Sequence, residues 1–304
     1  MSEAERFFVR FWGVRGSYPT PGAHTVRHGG NTACIEVQAG AHTLILDAGS
    51  GIIRLGEDLL SRAPDQPLDL SLLITHAHSD HLIGFPFFSP LFERRAAIDI
   101  FGPTLQGRTI ERILTPLMSP PYFPVDMHTL PSQRRFHTIT SEQCIAWRPG
   151  ADSQPCVMDD TRADDEADLL VFAKFTQSHP LNGALHYRVE YAGHSIVYAT
   201  DVEWDTECDP EFLTFARGAD LLIHDAQYTA EDYAASKHGF GHSTVTMATD
   251  VARDAQVGAL ILFHHEPNYD DTQLDALEKT AQASFPRSRS ACEGMTIDML
   301  ATSL

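Results

Sequence analysis

Residues Thr75 to His81 read THAHSDH and follow directly on the apolar run Leu72-Leu73-Ile74. In an extended segment alternate side chains share a face. His76 and His78 can therefore converge on one metal ion, while a turn at Ser79 lets Asp80 and His81 reach a second. The spacing points to two metal ions held side by side where a buried strand ends, and so to a binuclear metallohydrolase. Histidines also occupy surfaces and hydrogen-bonded core positions. Three of them with an aspartate inside six residues, at a strand exit, form a ligand density that neither role requires.

On either side of this stretch the chain alternates strand and helix signals. Strand-like segments cover Phe7 to Trp12, Cys34 to Val37 and Thr43 to Leu46, the last ending at Asp47. After the glycine turn AGSG, a helical stripe of Ile52, Leu55 and Leu59 follows. Ala97 to Phe101 reads as a further strand, with a helix through Ile110, Ile113 and Leu114 behind it. Prolines at 116, 120, 121, 124 and 131 forbid continuous helix or central strand, so 115–131 is expected to be a covering loop, a lid or a homodimer contact. Residues 149–168, polar and acidic, read as an exposed loop. In the second half, Ala184 to Tyr191 and Ser195 to Ala199 form a hairpin across Ala192-Gly193. Strands Leu221 to Ile223 and Leu260 to Phe263 end at His224-Asp225 and His264-His265. Between them a helical stripe of Val245, Ala248, Ala252 and Ala255 opens at Ser243, and a last helix spans Asp270 to Ala283. A metal-binding residue recurs at the end of an apolar strand, which is how a sandwich builds a site along one edge.

The chain has 304 residues and a formal charge of -19, so its mean field repels a long polyanion. No tight run of lysine or arginine offsets this, and a small substrate is expected rather than a stable complex with long nucleic acid. The N-terminal segment carries charges inside its apolar stretch and does not read as a secretory signal, and nothing reaches the length of a membrane span. Five scattered cysteines without a CxxC pair suit reduced thiols in a cytoplasmic protein.

The residues resemble the metallo-β-lactamase superfamily, whose HxHxDH signature is matched by His76, His78, Asp80 and His81. His179 in QSHPLNG, Asp201 in VYATD and His264 in LILFHHEP match the later ligands in order. The set GVRGSYPTPG, GGNT, DAGSG, GHST and LFHHEP looks most like the branch holding tRNase Z-like and cyclic-nucleotide phosphodiesterase enzymes. The resemblance implies a four-layer αβ/βα sandwich over residues 1–304 as a single domain. It also implies that His76, His78 and His179 bind one metal, that Asp80, His81 and His264 bind the other, and that Asp201 bridges. Imidazole and carboxylate suit zinc and, with more carboxylate, manganese or iron, so two divalent ions are the expected cofactors. Two such ions lower the pKa of a bridging water and clamp phosphate oxygens. His264 and His265 cannot face the same way on a strand, and the family pattern favours His264, leaving His265 behind the ligands or against substrate.

His242 in GHST precedes a helix, and in the phosphodiesterase-like branch its counterpart contacts phosphate and assists the leaving oxygen. A helix cap at Ser243 with His242 merely adjacent is the plainer reading. Asp47 and Asp225 also end strands, where carboxylates that orient ligand histidines are expected. The favoured activity is a phosphodiesterase on a small, nucleotide-like substrate. A thioester, lactone or lactam hydrolase would share the ligands without needing His242. A nucleotide-binding regulator with a degenerate site is opposed by seven intact ligand positions.

Overall fold

The computed structural model describes residues 6–148, 154–159, 166–204 and 208–301. Its N-terminal sheet is built from β1 (Phe7–Gly13), β2 (Cys34–Ala39), β3 (His42–Leu46), β4 (Leu68–Leu73), β5 (Ala96–Gly102) and β6 (Gln133–Thr138), in that spatial order. The C-terminal sheet takes β7 (Cys144–Trp147), β8 (Cys156–Met158), β9 (Leu169–Thr176), β10 (Ala184–Tyr191), β11 (His194–Ala199), β12 (Leu221–Asp225), β13 (Ala259–Phe263) and β14 (Ser288–Ser290). The last strand, β15 (Thr296–Asp298), returns to the first sheet beside β1.

Each sheet is antiparallel on one side and parallel on the other, with β3 to β6 and β11 to β14 the parallel runs. The sequence pattern dictates which faces are covered. In β1 burial alternates, and Phe7, Val9 and Phe11 point inward. Along β4 and its exit, Leu70 to Ile74 are all buried, because helices cover the outer face of the parallel half. Three apolar clusters result. One fills the space between the sheets around Phe11, Tyr187 and Phe263; one lies under the helix Ile52–Arg62; one lies under the helices Val245–Asp254 and Asp271–Ser284. This is the expected αβ/βα sandwich.

Phe11 of one sheet meets Phe263 of the other at 6.1 Å between ring centres, and Tyr198 packs edge-on to Phe263 at 5.6 Å. Phe11 is fully buried. Phe11→Ala should therefore cost about 3–5 kcal/mol in urea unfolding, and a loss below about 1 kcal/mol would contradict this placement of the core.

The β10–β11 hairpin turns at Ala192-Gly193, both at positive φ (51° and 79°). Residues 115–131 hold only short 3-10 turns, with Phe123 packed edge-on to Phe87 at 5.6 Å in the chain just after the metal motif. Two expectations need correction. The acidic stretch 149–168, expected as loop, contributes the edge strand β8, while 149–153 and 160–165 lie outside the described residues. The helix Val245–Asp254 is capped by Thr244, whose Oγ1 accepts from the Met247 N–H at 3.2 Å; Ser243 instead donates to the Val202 carbonyl at 2.6 Å.

Candidate metal centre

The residues of the site stand at the carboxyl ends of parallel strands: Asp47 after β3, Thr75 and His76 just beyond β4, Asp201 after β11, Asp225 closing β12 and His264 after β13. Open α/β sheets place their ligands at such ends, where helix–strand crossovers leave a crevice. Asp47, Asp201 and His264 share a backbone device. Each sits at positive φ (62°, 54° and 60°), so the strand stops and the side chain is thrown across the crevice. A non-glycine residue there costs on the order of 1–2 kcal/mol, and such strain collects at functional sites.

Three groups of donor atoms form. Asp225, His242 and His264 make one; His76, His78, His179 and Asp201 make a second; Asp80, His81, His264 and again Asp201 make a third. Asp201 divides its carboxylate between the latter two. Oδ2 lies 3.5 Å from Nε2 of both His76 and His179, and Oδ1 lies 3.0 Å from His81 Nε2 and 3.3 Å from His264 Nε2. His264 Nε2 is also 3.1 Å from Asp80 Oδ2 and 3.3 Å from His81 Nε2. An ion with tetrahedral bonds of about 2.0–2.2 Å keeps neighbouring donors roughly 3.3–3.6 Å apart, so these spacings fit metal coordination. His76 Nε2 is buried with no hydrogen-bond partner, which is costly for a polar atom unless something binds it. The residues thus fit two divalent ions.

Electrostatics agree. Burial, with the neighbouring His81, holds His76 well below its ordinary pKa, as a neutral nitrogen ligand requires. Burial also disfavours charge on His81, but Asp201, Asp80 and Asp47 outweigh it and raise the group well above the usual range. His264 is raised to about 9 against burial, chiefly by Asp201. The carboxylates call for compensating positive charge, which protons on these rings supply in the metal-free protein and cations would supply in the loaded one.

Behind the donors lies an orienting shell. Asp47 accepts from His81 Nδ1 at 2.8 Å and from the Tyr198 hydroxyl at 2.9 Å, and the Thr75 N–H donates to it at 2.8 Å. His179 Nδ1 donates to the Gly241 carbonyl at 2.9 Å, Gln227 Oε1 meets His264 Nδ1 at 3.1 Å, and the Ser17 N–H fixes Asp80 Oδ2 at 2.7 Å. Such contacts set the tautomer and aim of each ligand. Glycine is needed at two of these close approaches. A Cβ on Gly16 would stand 2.4 Å from the His264 ring, and one on Gly241 the same distance from His179 Nδ1.

Asp225 holds His242 Nδ1 at 2.8 Å; its Oδ2 is 3.8 Å from His264 Nδ1, so it serves His242 rather than a ligand histidine. His242 stacks on the His264 ring at 4.8 Å between ring centres and is 8% exposed. His265 belongs to none of the donor groups. It is 1% exposed, its Nε2 bonded to the Ala291 carbonyl at 3.0 Å and its ring edge-on to His28. Sequence reading missed Ser17, Thr75, Tyr198 and Gln227, ordinary polar residues that only the folded chain brings to the ligands.

Facing sheets with histidines and aspartates gathered at the strand exits define a hydrolase of the metallo-β-lactamase fold. The chain belongs to the beta-lactamase superfamily, whose domain profile matches residues 42–265. It is 25% identical to a ribonuclease Z of Pyrococcus horikoshii over 94% of this chain and 96% of that one. Among solved structures it is similar to the human short-form tRNase Z, with TM-score 0.62 and 20% identity over 97% of this chain and 100% of the other. It is also similar to the metallo-β-lactamase fold protein YhfI of Bacillus subtilis, with TM-score 0.64 and 19% identity over 96% and 99%. No helix among the described residues is long and apolar enough to cross a membrane.

Proposed function

We propose that the protein is a phosphodiesterase acting on a small, nucleotide-like diester, with His76, His78, His179, Asp80, His81, His264 and the shared Asp201 holding two divalent ions, zinc foremost. Such ions supply an activated hydroxide and a clamp for phosphoryl oxygens. The observation that carries the phosphodiester assignment is His242. Its Nδ1 donates to Asp225 at 2.8 Å, which fixes the orientation of the ring. Nε2 has no partner among the described residues and is left to give its proton to the departing oxygen. Thioesters, and esters with stabilised leaving groups, have less need of that proton.

A second reading has its own support, since full-length relatives are named ribonuclease Z. The small substrate is favoured by charge. Residues 149–168 carry seven acidic side chains against one arginine, in a chain of net charge -19, and such a charge balance opposes a polyanion the size of a tRNA. Zinc- or manganese-loaded protein should hydrolyse bis(p-nitrophenyl) phosphate and the dinucleotide ApA. At the same enzyme concentration it should leave a tRNA precursor with a 3′ trailer intact. Trailer cleavage without dinucleotide turnover would establish the second reading instead.

A further inference from the structure

The chain contains three lysines, at 174, 237 and 279. Lys174 is paired with Glu211, and Lys279 is exposed on the C-terminal helix. Lys237 is placed differently. Its ammonium lies over two aromatic rings, 5.3 Å from the centre of Tyr228 and 5.5 Å from that of Phe240. No carboxylate of the described residues pairs with it. Ring faces hold a cation without neutralising it, so its charge stays available to an anion.

The same segment is tied to the metal centre. Glu203 accepts from the N–H groups of Gly239 and Gly241, both at 2.7 Å, and from the Tyr233 hydroxyl at 2.6 Å, which pins the chain between Tyr233 and Gly241. Gly241 in turn receives the His179 Nδ1–H, and Tyr228 stands edge-on to His242 at 6.0 Å. Lys237 is thereby held one ring away from His242, with Tyr228 between them. Beside it Phe240 is 55% exposed. A single exposed aromatic is ordinary on a protein surface, but this one adjoins the proposed general acid and an unneutralised cation, in a protein whose mean field repels phosphate.

We propose that Lys237 and Phe240 form a subsite for a second phosphate and a base of the substrate, so that the preferred substrate is a nucleotide diester bearing a further phosphate, such as a dinucleotide with a 5′-phosphate. The proposal rests on the phosphodiesterase reading above. Lys237 pairs with the additional phosphate, and the base stacks on Phe240.

The test is binding, with adenosine 3′,5′-bisphosphate and AMP titrated calorimetrically into metal-reconstituted protein. Wild type should bind the bisphosphate roughly tenfold more tightly than AMP. Lys237→Ala should erase that advantage while leaving AMP affinity unchanged, and Lys237→Arg should keep most of it. Phe240→Ala should weaken both ligands by roughly fivefold or more, with their ratio preserved. Equal affinities in wild type, or an advantage that survives Lys237→Ala, would overturn the subsite. Failure of the metal-loaded wild type to hydrolyse bis(p-nitrophenyl) phosphate would count against the phosphodiesterase reading alone, because the binding comparison needs no turnover.

Discussion

Asp201→Asn should lower turnover of bis(p-nitrophenyl) phosphate by roughly four orders of magnitude and reduce bound metal from two ions to one or fewer. The size follows from geometry. Asp201 is common to two of the donor groups, with Oδ2 toward His76 and His179 and Oδ1 toward His81 and His264. Its carboxylate is held ionised although burial opposes this, chiefly because His264 and His81 surround it. An amide offers one acceptor oxygen and no charge, so at most one of these two groups stays complete. The effect on the core should be small, since the residue lies at the crevice and outside the packed clusters. A variant within tenfold of the wild-type rate with two ions still bound would remove Asp201 from the bridging role.

His242→Ala should keep both metals yet slow ApA hydrolysis by roughly a hundredfold or more, the usual scale of general acid catalysis. His242 belongs to neither proposed ligand set, and its Nδ1 is committed to Asp225. The loss should shrink on bis(p-nitrophenyl) phosphate, because p-nitrophenol departs without a proton whereas a nucleoside alkoxide does not. Equal losses on both substrates would recast His242 as a phosphate-positioning group. No loss on either would leave the ester or lactam hydrolase as the better account.

Much of this centre is legible in the sequence because metal ligation demands particular residue types at strand ends. THAHSDH betrays itself by density alone, and Asp201 and His264 stand where apolar runs stop. His179 was recognisable only through family resemblance, since a lone histidine in QSHPLNG has no local signature. What sequence could not show were features made by tertiary approach: the left-handed backbone at Asp47, Asp201 and His264, and the glycines pressed against ligand rings. His265 parts from His264 for a simple reason. Neighbouring residues leaving a strand point to opposite sides, and the far side here is a buried layer against His28 and Ala291 rather than the substrate crevice. The unexpected strands have plainer causes. β6, reading QRRFHT, is a polar edge strand without an apolar stripe, while β8 has only three residues within an acidic stretch. β9 did carry an apolar run, Leu169 to Phe172, which was a usable strand signal.

The central claim, a pair of cations held by these seven residues, is tested most directly by elemental analysis of protein purified without chelator and then dialysed. Two equivalents of zinc, manganese or iron per chain are expected, falling to one or fewer in Asp201→Asn. A reproducible value near zero in wild type, with no diesterase activity restored by added zinc or manganese, would contradict the account.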